Sequence, residues 1–288
     1  MTESAQGPVA QELASIAASL RAHLEWQEET GAFGIPDGPL AAETQSTISA
    51  TPISAAPISS TPISAAPTEV RVATVEVAPV SSKRNTAPVD RLAARAKLPQ
   101  LAREVAECKK CILHETRTQT VFSRGNPEAR IAFVGEAPGA DEDAEGIPFV
   151  GRAGQLLDKM IGAMGLSPER DVYVCNIIKC RPPGNRRPEP TETDACIPYL
   201  HEQLAAVGPK VIVALGNTAV GTLLGTKLGI TKIRGQWKTY RGSTLVMPTY
   251  HPSYLLRPGP QQMQAKREAW EDLQAVMKEL GLALPQRK

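Results

Sequence analysis

Cys108, Cys111, Cys180 and Cys196 form a Cys-x2-Cys pair followed by two single cysteines with fifteen residues between them. Four thiolates so arranged can hold one tetrahedral metal ion or one iron–sulfur cluster. The absence of a second Cys-x2-Cys knuckle departs from common zinc ribbons and leans toward a cluster. Cys175 has an apolar neighbour, Val174, and reads as a buried thiol outside the ligand set. Cys180 lies four residues beyond Asn176, so a metal held there would pin the backbone of a residue able to do chemistry.

Asn176 offers an amide that donates and accepts at once and matches the polar edge of a pyrimidine, although an Asn closing a strand needs no ligand. His251, before Pro252, can donate to a developing anion, or be purely structural. Gly135-Glu136-Ala137-Pro138-Gly139 packs two glycines and a proline into five residues, and such a turn lets backbone approach a ligand closely. An acidic run, Asp141-Glu142-Asp143, follows, and then Gly146-Ile147-Pro148-Phe149-Val150-Gly151. Phe149 there is either a stacking platform for a planar base or a core side chain. The segment Lys179–Pro188, KCRPPGNRRP, sets four cations among prolines and glycine and suits a phosphate-facing loop, or simple solvation.

These residues must be positioned by regular elements, and the apolar pattern supplies them. Buried strands are expected over 130–135 (RIAFVG), 171–178 (DVYVCNII), 210–216 (KVIVALG) and 244–250 (TLVMPTY). Helices are expected over 152–164, 191–207, a short stretch ending at Leu224, and about 261–280. Apolar runs alternating with helices specify one three-layer α/β domain with a mostly parallel four-stranded sheet. Glu136, Asn176, Gly216–Asn217 and His251 each follow a strand, and ligands of open parallel sheets bind at the strands' carboxyl ends. A helix capped by Asp90 should run to Cys108, broken near Pro99, with Leu92, Leu98, Leu101 and Val105 on one side.

The chain's halves differ in character. Residues 1–90 carry ten acidic and four basic side chains, whereas the remainder carries 28 basic and 20 acidic. The basic part suits a polyanionic partner or an ordinary soluble surface. Residues 1–30 contain a short amphipathic helix pattern over 9–30, a candidate docking segment for a protein partner. Residues 31–89 are rich in Ala, Pro, Ser and Thr, and TPISAAP at 51–57 recurs at 61–67. Such composition cannot build a core, so a disordered linker is expected, with the folded domain over 90–285. Five cysteines, an odd number, exclude a fully paired disulfide framework. No apolar run is long enough to span a bilayer, and the first residues lack a signal peptide's basic and apolar regions. A cytoplasmic location with no membrane partner is expected.

Taken in order, Gly135–Asp143 (GEAPGADED), Pro148–Leu157 (PFVGRAGQLL), Asn176–Pro183 (NIIKCRPP), His251–Leu255 (HPSYL) and the four-cysteine spacing resemble type 4 uracil-DNA glycosylase over about residues 98–280. The resemblance implies a compact α/β domain, a monomer carrying one [4Fe-4S] cluster on Cys108, Cys111, Cys180 and Cys196. It implies hydrolysis of the N-glycosidic bond of deoxyuridine in single- or double-stranded DNA, with the base extruded into a pocket. Uracil would stack on Phe149 within a pocket formed also by Gly135, Glu136 and Ala137, and Asn176 would read its polar edge. Glu136 would bind the base or order water, His251 would stabilise charge on uracil O2, and Glu142 would help exclude thymine's methyl. Ala137 occupies the place of an Asp in glycosylases of another class, which favours a dissociative route. Arg181, Arg186, Arg187, Leu255, Leu256 and Arg257 would contact DNA, the Leu255–Gly259 stretch as a wedge. Two other classes remain: a non-catalytic, cluster-bearing DNA-binding protein, and a sibling class that links covalently to uracil-DNA through a His in a basic insertion. Here 141–148 is acidic and lacks His.

Overall fold

The computed structural model describes Arg21 and residues 91–284. The helix expected over 9–30, the linker, its repeat and the Asp90 cap lie outside the described residues, Arg21 excepted.

The sheet has six strands: β1 (Arg124–Gly125), β2 (Ile131–Gly135), β3 (Val172–Asn176), β4 (Val211–Leu215), β5 (Lys238–Tyr240) and β6 (Thr244–Thr249), in the order β1-β3-β2-β4-β6-β5. The four expected strands are β2, β3, β4 and β6, and they pair in parallel. Two short antiparallel strands, β1 on β3 and β5 on β6, complete the edges. The expected four-stranded sheet is thus the centre of a six-stranded mixed one. Every residue of β2, β3 and β4 is buried. Successive strand residues face opposite sides of a sheet, so helices cover both faces.

The helices are α1 (Arg91–Ala96), α2 (Leu98–Ala106), α3 (Ala140–Glu145), α4 (Arg152–Ala163), α5 (Pro190–Val207), α6 (Gly216–Leu224), α7 (Ile230–Ile233), α8 (Pro252–Leu255) and α9 (Gln262–Leu280). The expected interruption falls at Lys97, and Pro99 sits in the first turn of α2, where its missing N–H leaves no hydrogen bond unmade. Leu98, Leu101 and Val105 are buried as expected. Leu92 is not, being 73% exposed, because the break between α1 and α2 rotates its face away from theirs.

Register brings the site together. Gly135 is opposite Asn176 across β2 and β3, and β4 and β6 end alongside at Leu215 and Thr249. Glu136, Asn176, Gly216 and His251 therefore leave one edge of the parallel core.

Candidate active site and metal centre

At that edge, side chains from distant parts of the chain meet. A β-carbon added to Gly135 would lie 2.4 Å from Asn176 Oδ1 and 2.5 Å from Phe149 Cζ. Glycine is required there because both groups fill the space above it. Gly216, at φ +84°, lets the first turn of α6 pass beneath His251, whose Cβ a side chain would meet at 3.0 Å. The Phe149 and His251 rings lie 5.7 Å apart, tilted by 30°. Asn176, Phe149, Gly135 and His251 thus form one cluster.

Phe149 belongs to the core and to this cluster at once. It is 5% exposed and adopts φ +58°, the left-handed region. A bulky residue there costs of order 1–3 kcal/mol and persists only where surroundings impose it. Two constraints do so. Glu142 accepts from the N–H groups of Val150 and Gly151 at 3.1 and 3.0 Å, and from Gly139 at 2.9 Å. Helix α4 presses from the other side, since a β-carbon on Gly154 would overlap the Phe149 carbonyl. Both Glu142 oxygens therefore hold the loop that carries the aromatic ring.

Asn176 is 2% exposed, and its Oδ1 is buried with no hydrogen-bond partner. Such an acceptor costs of order 1–3 kcal/mol, which a ligand's N–H would recover. The Glu136 carboxylate, half-buried, has no hydrogen-bonding or ionic partner among the described residues. Ala137 packs against the core beside it.

His251 caps α8, with Nδ1 accepting from the Ser253 N–H at 3.2 Å and lying 2.8 Å from Ser253 Oγ. An accepting Nδ1 places the proton of the neutral ring on Nε2. Burial, and secondarily the charge of Arg257, push the His251 pKa down to about 4. Near neutral pH the ring is an uncharged Nε2–H donor. Sequence reasoning missed Ser253 as its partner, though a Ser two residues past a cap position is a legible signal.

The four cysteines line one hollow of about 300 Å³, counted out to its open mouth, together with Arg117 and Lys179. Cys175 does not line it. Among the described residues no three His, Cys, Asp or Glu side chains are grouped as ligands of a single metal ion. Four cysteines around one hollow are a donor set that a metal ion or an iron–sulfur cluster could use. Burial raises the Cys180 thiol pKa and pushes Cys196 up to about 11, so loading the site must displace protons. Arg117 donates to Cys180 Sγ at 3.1 Å and to the Ala106 carbonyl at 3.0 Å. Burial pulls the Lys179 pKa below its ordinary value, opposed by the thiols of Cys175, Cys196 and Cys180.

The cationic loop divides. Lys179 is 1% exposed, and Arg186 is bonded through both terminal nitrogens to the buried Glu192 at 2.9 and 2.5 Å. Lys179 is thus no open phosphate contact, whereas the Arg186 side chain keeps an exposed part beside Glu189 and Glu192. Arg181 bonds Asn185, and the exposed Arg187 bonds Thr218 in α6, beside the Gly216 end of the site edge. Leu255 is wholly buried and cannot wedge into DNA, because the single turn of α8 faces it into the core. Leu256 is half-buried and Arg257 exposed, 5.9 Å over the Tyr254 ring.

The model of the Uracil DNA glycosylase superfamily matches residues 122–274. A Type-4 uracil-DNA glycosylase of Thermotoga maritima is 49% identical over 165 residues, 57% of this chain and 85% of the relative. One from Archaeoglobus fulgidus is 46% identical over 166 residues, covering 55% and 83% respectively. A Type-5 uracil-DNA glycosylase of Pyrobaculum aerophilum is 33% identical over 187 residues, covering 58% and 81%.

Proposed function

From the premise that the chain belongs to the uracil DNA glycosylase superfamily and is a uracil-DNA glycosylase, we propose that it removes uracil in base excision repair through the Asn176–Phe149–His251 cluster. The observation that carries this reading is the buried, unpartnered Asn176 Oδ1 beside Phe149. Uracil N3–H supplies the missing donor, and the aromatic ring packs against the base.

The bond from C1′ of deoxyribose to uracil N1 breaks with its electron pair moving to the base, where charge spreads to O2. His251 Nε2–H meets that charge as a neutral donor already oriented by Ser253, and one preorganised donor of this kind is worth about 3–4 kcal/mol. The sugar is left as an oxocarbenium ion. Water adds to C1′ and its proton passes to the departed uracil anion, giving free uracil and the abasic site. Glu136, with its carboxylate uncommitted, orders that water. Ala137 offers no base beside it, which supports late capture of water. Glu142 acts on specificity through the loop it holds, keeping Phe149 and the adjacent wall where thymine's methyl would intrude. Arg181, Arg186, Arg187, Leu256 and Arg257 remain as the DNA-facing set.

Cys108, Cys111, Cys180 and Cys196 would hold the [4Fe-4S] cluster, which supplies a covalent tie between the segment at 108–111 and the loop at 180–196 and no electron for hydrolysis. Residues 90–285 form the enzyme in this reading, acting as a cytoplasmic monomer on single- or double-stranded DNA. Residues 1–30 are left to a protein partner and 31–89 to a tether.

Incubation with single-stranded uracil-DNA followed by alkali tests the proposal. Strand cleavage is expected. No reaction would indicate a cluster-bearing DNA-binding protein, and a stable adduct the covalent sibling class.

A further inference from the structure

Lys179 is a charged side chain enclosed in the interior, 1% exposed, and hydrolysis assigns it no task. Its Nζ donates to the backbone carbonyl of Asn176 at 2.7 Å. Its carbonyl accepts from the Val121 N–H at 2.8 Å. One residue therefore stands in the wall of the cysteine hollow and holds the base-reading residue with its side chain. The next residue, Cys180, is itself a ligand.

A buried polar head needs a partner. Among the described residues no carboxylate pairs with Lys179. Lys179 lines the cysteine hollow with Cys180 and Cys196, and the acceptor its Nζ finds is the Asn176 carbonyl.

We propose that Lys179 is a positioning residue that couples the cluster site to uracil recognition, standing against the cysteine hollow while its Nζ fixes the Asn176 backbone at the end of β3. The cluster would then act on the pocket through one hydrogen bond as well as through the fold. This rests on the reading of Asn176 as the group that contacts uracil.

The test measures equilibrium binding of free uracil and of abasic-site DNA to cluster-loaded protein, with iron content and visible circular dichroism of the cluster as independent readouts. Lys179→Met should hold iron as the wild type does, change the visible dichroism, and bind uracil about tenfold more weakly, the scale of one charge-assisted hydrogen bond. Affinity for abasic DNA should stay unchanged. Lys179→Arg, which keeps the charge, should recover most of the uracil affinity. A loaded Lys179→Met with wild-type uracil affinity would overturn the proposal, as would equal impairment of the Met and Arg variants. Should the Met variant not fold, Lys179→Gln replaces it, and undiminished uracil binding by that loaded variant overturns the coupling in the same way. Asn176→Ala is measured beside them. If it too binds uracil normally, the reading of Asn176 fails; if it loses uracil while Lys179→Met does not, only the coupling fails.

Discussion

Replacing His251 with Ala removes two things that can be measured apart. The first is the cap on α8, where Nδ1 accepts from the Ser253 N–H at 3.2 Å; losing an N-cap costs about 1 kcal/mol of stability. The second is the Nε2–H donor. With its pKa pushed down to about 4, the ring is uncharged at pH 7. What is lost is thus a neutral preorganised donor, about 3–4 kcal/mol or a hundredfold to a thousandfold in rate. Because the charge it meets exists only as the glycosidic bond breaks, the loss should fall on the chemical step and spare DNA binding. His251→Asn separates the two effects. Asn is a strong cap residue, so stability should return, while its shorter amide cannot reach where Nε2 stood, so the rate should not. Single-turnover excision, binding to an abasic-site analogue and thermal melting should be run on all three proteins. If His251→Ala weakens binding and spares single-turnover excision, or if His251→Asn restores the rate together with the stability, the role given to Nε2 is wrong.

Three further outcomes follow from the same geometry. The pH profile of excision should show no acid limb from His251 near 6.5, only one near pH 4; since the unfolded ring protonates at about 6.5 and the folded one at about 4, the contribution of His251 to stability should be whole above pH 6.5 and fall away as the pH drops toward 4, read by denaturant titration at each pH. Gly135→Ala should lose uracil affinity about tenfold and roughly 1–3 kcal/mol of stability, because its methyl would press on Asn176 Oδ1 and Phe149 Cζ; isothermal titration with uracil and chemical denaturation would show it. Purified protein should be brown with about four iron atoms per chain, and Cys108→Ala or Cys180→Ala should bleach it, whereas Cys175→Ala, outside the cysteine hollow, should keep its colour.

The central strands were legible because each is an unbroken apolar run, and that signal survives without knowledge of the neighbours. β1 and β5 were not: RG and KTY are short, partly exposed and carry charge, and only pairing with β3 and β6 makes them strands. Leu92 and Leu255 misled in opposite directions. Each is a leucine in a short helix, and the side it shows is set by how that helix is held, which periodicity over four to six residues cannot report. Lys179 reads as a surface charge in a basic loop, yet the hollow beside it exists only once Cys108 and Cys196 arrive from elsewhere. The strand-end residues, by contrast, needed only the parallel sheet. Glu136, Asn176, Gly216 and His251 fall together wherever four such strands align.

That alignment has a consequence for how activity is acquired. Gly135, Asn176, Gly216 and His251 are spaced along more than a hundred residues of chain and meet only through three parallel pairings, β2 with β3, β2 with β4, and β4 with β6. Parallel pairing is non-local, so its loop-closure entropy falls due before its contacts form. In the proposed reading, a nascent or partly melted chain lacking the β4–β6 pairing would hold Asn176 and Phe149 without His251, able to grasp a base and not to cut it. Catalytic competence in that reading needs all three pairings at once, and the onset of excision during refolding should lag behind the return of helical signal.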